Sequence, residues 1–94
     1  MPGTILFFGR NVSIMALVDL QMRSAGYKTE GFLEEMDLMQ RLEGAPAALL
    51  VLGAGVEDAP RARLREYCEA KRIKLLEHFG GPDRLLENVR AALA

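Results

Sequence analysis

Residues 47–53 read Ala-Ala-Leu-Leu-Val-Leu-Gly, six apolar residues in an unbroken run stopped by a glycine. A strand covered on one face alternates apolar and polar residues, so a continuous run of this length predicts a strand buried on both faces, as in a parallel sheet. Upstream, Thr4-Ile5-Leu6-Phe7-Phe8 ending in Gly9 has the same character. Lys28 to Phe32, and Lys74 to His78 with Leu75 and Leu76 set among charges, are polar enough for the two sheet edges. The four strand starts, at 4, 28, 47 and 74, are spaced by 24, 19 and 27 residues, which leaves room for a strand, a loop and a helix of about three turns.

Each strand is followed by helical periodicity. Asn11 or Ser13 can cap a helix whose inner stripe is Met15, Val18, Met22 and Ala25, and Gly26 stops it. A second helix places Met36, Met39 and Leu42 on one stripe and ends at Gly44, with Pro46 blocking continuation. A third begins near Pro60 and lines up Leu64, Tyr67 and Cys68. In the fourth, Gly80-Gly81-Pro82-Asp83 announces the start, and Leu86, Val89 and Leu93 face inward. Strand and helix alternating four times imply a parallel α/β sheet with right-handed crossovers and helices on both faces. The expected strand order is 2-1-3-4, with the first and last helices on one face and the middle two on the other.

Ninety-four residues are less than the usual ~150 of a domain, so the chain is expected to form one unit spanning residues 1–94. Twelve basic against thirteen acidic side chains leave a net charge of -1, without the broad positive footprint of a nucleic-acid binder. The balance hides a polarity: residues 1–60 carry a net -4 and residues 61–94 a net +3. The basic residues Arg61, Arg63, Arg65, Lys71, Arg72 and Lys74 are interleaved with Glu66 and Glu69, which reads as a solvated helix face. A single cysteine, Cys68, excludes an intramolecular disulfide and suits a reducing cytoplasm. The apolar start, Ile5 to Phe8, is too short for a signal peptide or a membrane span, so no membrane association is expected.

Three stretches resemble the receiver domain of response regulators. They are Ile5-Leu6-Phe7-Phe8 with the helix closing at Ala25-Gly26-Tyr27, the run Pro46-Ala47-Ala48-Leu49-Leu50-Val51-Leu52, and Leu75-Leu76-Glu77-His78-Phe79 leading through Pro82-Asp83-Arg84-Leu85-Leu86. The resemblance covers nearly the whole chain and implies a single three-layer flavodoxin-like domain. It also exposes departures. Receivers hold magnesium with acidic residues directly after the first strand, where this chain has Gly9 and Arg10. Their phospho-accepting aspartate ends the third strand, where Leu52-Gly53 stands, and the nearest carboxylates are Glu57 and Asp58 beyond the loop. His78 or Phe79 falls at the position of the phosphate-sensing lysine, and four βα units replace five. The resemblance therefore implies a shortened pseudo-receiver that is not phosphorylated, with no metal, no cofactor and no catalytic residue.

In an open parallel sheet, ligands bind beyond the carboxyl ends of the strands where the strand order reverses, here between the first and third strands. Gly9, Arg10, Asn11, Gly53 and Gly55 are expected to face one another there, with His78 nearby, as a candidate anion or nucleotide site. The same glycines also serve as ordinary tight turns, and no Gly-Lys-Ser/Thr or Gly-x-Gly-x-x-Gly cradle is present. His78 has no neighbouring nucleophile in sequence, and Cys68 sits on an apolar stripe, where a small core residue belongs. Small phosphotransferase-system and phosphatase proteins of similar architecture need a cysteine directly after the first strand, and Gly9 occupies that place. Finally, Ile14-Met15-Ala16-Leu17-Val18 is apolar on every side of the first helix. One face covers the sheet, and Ile14, Met15, Leu17 and Val18 are expected to form a homodimer interface rimmed by Arg84, Asn88 and Arg90. The function expected is a non-enzymatic regulatory or protein-interaction module.

Overall fold

A computed structural model describes residues 3–78 and 84–94. Four strands alternate with four helices: β1 (Thr4–Phe8), α1 (Val12–Ser24), β2 (Lys28–Phe32), α2 (Glu35–Gly44), β3 (Leu49–Leu52), α3 (Asp58–Lys71), β4 (Leu75–Glu77) and α4 (Leu85–Leu93). The strands form one parallel sheet in the order β2-β1-β3-β4, as the alternation of elements requires. Ile5 pairs with Thr29 on one side and Leu49 on the other, and Val51 pairs with Leu76. β3 and β4 are shorter than the segments expected for them, with Ala47, Ala48, Lys74 and His78 beyond the strand ends.

Alternation along the central strands divides the core. Leu6, Phe8, Leu50 and Leu52 point to one side, where Leu38, Leu42, Val56, Leu64 and Cys68 meet them. Ile5, Phe7, Leu49 and Val51 point to the other, against Val18, Met22, Leu85 and Val89. Thus α2 and α3 cover one face while α1 and α4 cover the opposite one. Each buried Leu, Ile, Val or Phe contributes roughly 1.5–3 kcal/mol relative to exposure, and the two central strands supply eight such residues.

Asn11 is the cap of α1: its side chain accepts a hydrogen bond from the Ile14 N–H at 3.0 Å. The helix ends at Gly26, whose φ of +92° is the left-handed geometry that only glycine adopts freely, and Tyr27 N–H bonds the Met22 carbonyl at 3.0 Å. α3 ends with Arg72 in the same region at φ 57°, a conformation that disfavours a residue bearing Cβ.

Four details differ from the sequence pattern. Met36 is 73% exposed, and α2 packs through Leu38 and Leu42 with Met39 half-buried. Steps of three residues drift round a helix by 60° each, so Met36, Met39 and Leu42 never form a straight stripe, whereas Leu38 and Leu42 do. α3 starts at Asp58, two residues before Pro60, which fits the first turn. On α4 the fully buried residues are Leu85 and Val89, with Leu86 and Leu93 at the margin. Val18, expected at a dimer interface, is buried in the core, and Met15 packs half-buried against the same cluster. The expected helix-start signal at Gly80-Gly81-Pro82-Asp83 lies outside the described residues, as does Phe79.

Candidate functional site

Gly9, Gly53 and His78 each stand one step beyond a strand and continue the ladder: Gly9 N–H bonds the Phe32 carbonyl at 3.1 Å, Gly53 N–H the Phe8 carbonyl at 2.9 Å, and His78 N–H the Leu52 carbonyl at 2.9 Å. The chain then leaves β1 for one face and β3 for the other, which opens a cleft at the reversal of strand order. Its volume is about 690 Å³. Gly9, Arg10, Asn11, Gly53, Gly55 and His78 all line it, so the fold brings the whole expected set together. The Phe7 ring lies beneath both glycines: a Cβ would come within 3.0 Å of it at Gly9 and 3.3 Å at Gly53. Phe7, Val12, Ile14, Val18 and Leu85 make the remaining wall largely apolar.

Arg10, Asn11 and His78 of this set each have a partner within the protein. The Arg10 guanidinium lies 5.0 Å over the Phe8 ring, which belongs to the α2/α3 layer. It donates to the Glu57 carboxylate from Nε at 3.0 Å, with Nη2 2.9 Å from the same oxygen, and to the Leu33 carbonyl, with Glu34 at 4.0 Å. Arg10 is thereby drawn toward carboxylates on that side of the sheet. Glu57 in turn is held below the usual carboxylate range, first by its own backbone N–H and then by Arg10. The Asn11 Oδ1 is occupied by the α1 cap. His78 is buried, and the Asn88 amide nitrogen lies 3.1 Å from its Nδ1, so an amide donor makes Nδ1 the acceptor.

Arg61 is the residue that sequence reasoning missed. Placed above among the solvated basic residues, it is in fact only 4% exposed. Its Nη2 donates to the carbonyls of Gly53 at 2.8 Å and Val56 at 3.1 Å, and its Nη1 to Glu77 at 3.0 Å. It therefore ties the loop after β3 to the end of β4 and fixes one wall of the cleft. The signal was present, since 61, 64 and 68 follow the i, i+3, i+7 spacing of the buried stripe. Arg63 and Arg65 are exposed as expected, and fork onto Glu35 and Glu77 respectively. Cys68 is a buried free thiol whose pKa burial pushes up, the opposite of what a nucleophile needs.

No helix among the described residues is long and apolar enough to cross a membrane. No protein-family model matches the chain, and no curated protein matches it significantly. Solved structures do match. A signal receiver domain from Vibrio parahaemolyticus has a TM-score of 0.78 at 15% identity, over 99% of this chain and 91% of that one. The chemotaxis protein CheY4 of Vibrio cholerae has a TM-score of 0.68 at 14% identity, over 99% and 100%. A response regulator protein from Burkholderia multivorans has 0.64 at 17%, over 97% and 94%. At these identities the likeness is one of architecture, and the chain has the flavodoxin-like fold of a response-regulator receiver domain.

Proposed function

We propose that this chain is a regulatory or protein-interaction module of pseudo-receiver type, without enzymatic activity, that works in the cytoplasm and takes no phosphoryl group. The observation that carries the reading is the set of residues one step past the three strand ends, Gly9, Gly53 and His78, none of which is a carboxylate. An acyl phosphate forms only when a carboxylate oxygen attacks phosphorus, so the nucleophile must stand in the cleft. The carboxylate nearest in sequence to β3 is Glu57, whose oxygen is held by Arg10. Incubation with acetyl phosphate and magnesium, followed by mass spectrometry of the intact protein, tests this. The mass is expected to stay unchanged, and a gain of one phosphoryl group on an aspartate or glutamate overturns the reading.

A second reading, a small anion- or nucleotide-binding protein, is favoured by one observation: all six of its expected residues line a single cleft. Against it, Glu57 already neutralises Arg10. Titration with phosphate and with nucleotides separates the readings. If the site binds, Arg10→Ala weakens it by about 1.5–3 kcal/mol, as for a hydrogen bond to a charged group. Absence of binding in the millimolar range leaves Gly9 and Gly53 as turns.

A further inference from the structure

The two outer layers differ in how their surfaces are finished. On the α2/α3 side, exposed charges close on each other: Arg41 with Glu30, Arg63 with Glu35, Arg65 with Glu77. On the α1/α4 side the ion pair among the described residues is Arg23 with Asp19, within α1, and much of the remaining outer surface of α1 is apolar. α1 exposes Val12 at 64%, Ile14 at 38%, Leu17 at 43% and Leu20 at 63%, four of the six large exposed hydrophobics. At 100° per residue, Val12, Ala16, Leu17 and Leu20 fall within about 140° of the helix circumference, interspersed with Ser13 and Ser24. The one acid of the helix, Asp19, is turned to Thr29 and Arg23. Beside this stripe, Glu87 and Arg90 on α4 are exposed and make no hydrogen bond or ion pair among the described residues.

We infer that two copies of this chain associate through the α1/α4 layer about a two-fold axis that sets α1 antiparallel to α1 and α4 antiparallel to α4. Three observations select a second copy as the occupant. First, Glu87 and Arg90 lie three residues apart on one helix, so antiparallel pairing puts each Glu87 opposite Arg90 of the other copy, twice per dimer. Second, a single axis serves both helices. α1 and α4 both follow parallel strands and so run the same way, and Leu85 and Val89 pack in the same cluster as Val18 and Met22. An axis perpendicular to both helices that passes between Glu87 and Arg90 therefore crosses α1 as well, and brings the exposed stripes of the two α1 helices together. Third, the area suffices. The molecule measures 30 × 29 × 20 Å with 5715 Å² accessible, so one broad face offers on the order of 1,200 Å², against ~800 Å² per partner in a standard interface. Ala16 and Ser13 keep the centre of the stripe low enough for helices to approach at the usual ~8–10 Å.

Of the residues expected from sequence this interface keeps Leu17, with Ile14 at its margin toward the cleft, replaces Val18 and Met15 with Leu20 and Val12, and does not depend on whether the cleft is phosphorylated. Sedimentation equilibrium of the full chain at tens of micromolar tests it, with the fold of each variant confirmed by circular dichroism. The wild type is expected to be a dimer. Leu20→Glu is expected to weaken it by at least about tenfold, since two-fold symmetry counts the lost burial twice. Met36→Glu, equally exposed on the other layer, leaves the dimer intact. Glu87→Arg and Arg90→Glu are each expected to weaken association by about threefold, and the double exchange to restore it. A wild-type monomer, a dimer indifferent to Leu20→Glu, or a double exchange weaker than either single change overturns the proposal.

Discussion

The Arg61 guanidinium reaches the Glu77 carboxylate at 3.0 Å from inside the core, with the guanidinium side chain 5% exposed and Glu77 24% exposed. A buried cation is tolerated only when its donors are met, and here the carbonyls of Gly53 and Val56 accept from it as well. Glu77 is shared with Arg65, which forks onto it from solvent. The end of β4, the start of α3 and the loop after β3 are thus tied together through Arg61.

Arg61→Ala is expected to destabilise the fold by about 2–4 kcal/mol, since Glu77 keeps Arg65 but the Gly53 and Val56 carbonyls each lose their charged donor. That is a large share of the ~5–15 kcal/mol of a typical domain. Arg61→Lys restores only part of it, because a compact ammonium cannot span two carbonyls and a carboxylate at once. Urea unfolding midpoints measure both, and a loss below about 1 kcal/mol for the alanine variant contradicts the role assigned to Arg61.

Stability is expected to fall on the acid side. Glu77 is held below its ordinary pKa of 4.5 by Arg65 first and Arg61 second, Glu35 likewise by Arg63, and Asp19 below 3.8 by Thr29 first and then Arg23. A depressed pKa in the folded state means that the unfolded chain binds more protons between the two values, so stability rises with pH there. The contribution is complete above about pH 4.5 and is lost as pH falls through the folded values. Glu77→Gln flattens the acid limb of a stability–pH curve, and an unchanged limb contradicts the assignment.

Met36 and Leu38 have opposite tolerances although they are two residues apart. Met36→Gln is expected to change stability by less than about 0.5 kcal/mol, and Leu38→Ala to cost about 2–5 kcal/mol through the cavity it leaves. Thermal or urea unfolding of the pair decides it. Equal losses would mean that α2 packs through Met36 after all.

Cys68 is expected to be silent toward thiol reagents in the native protein, since burial both shields the sulfur and disfavours the thiolate. Labelling should release one equivalent only as urea unfolds the chain. Full labelling within seconds under native conditions contradicts this.

The order of elements, the sheet order, the two-faced core and the residues at the strand ends were all legible in the sequence. Apolar runs at Thr4–Phe8 and Leu49–Leu52, and helical spacing between them, are local signals that leave a parallel sheet as the economical arrangement. The convergence of Gly9, Arg10, Gly53 and His78 on one cleft followed from topology alone. What tertiary structure decided was where side chains with two options go. Met36 and Leu38 are both apolar residues at helical spacing from Leu42, and the docked position of α2 on the sheet buries Leu38 and leaves Met36 in solvent. Arg61 carries the charge of a surface residue at the spacing of a core residue, and it is buried because Gly53, Val56 and Glu77 present acceptors within its reach. Arg10 reads as an anion-binding group until Glu57, 47 residues away, is seen to hold it. Electrostatic partners are chosen in space and not along the chain, so the pairing of each charge becomes visible only once the helices are docked.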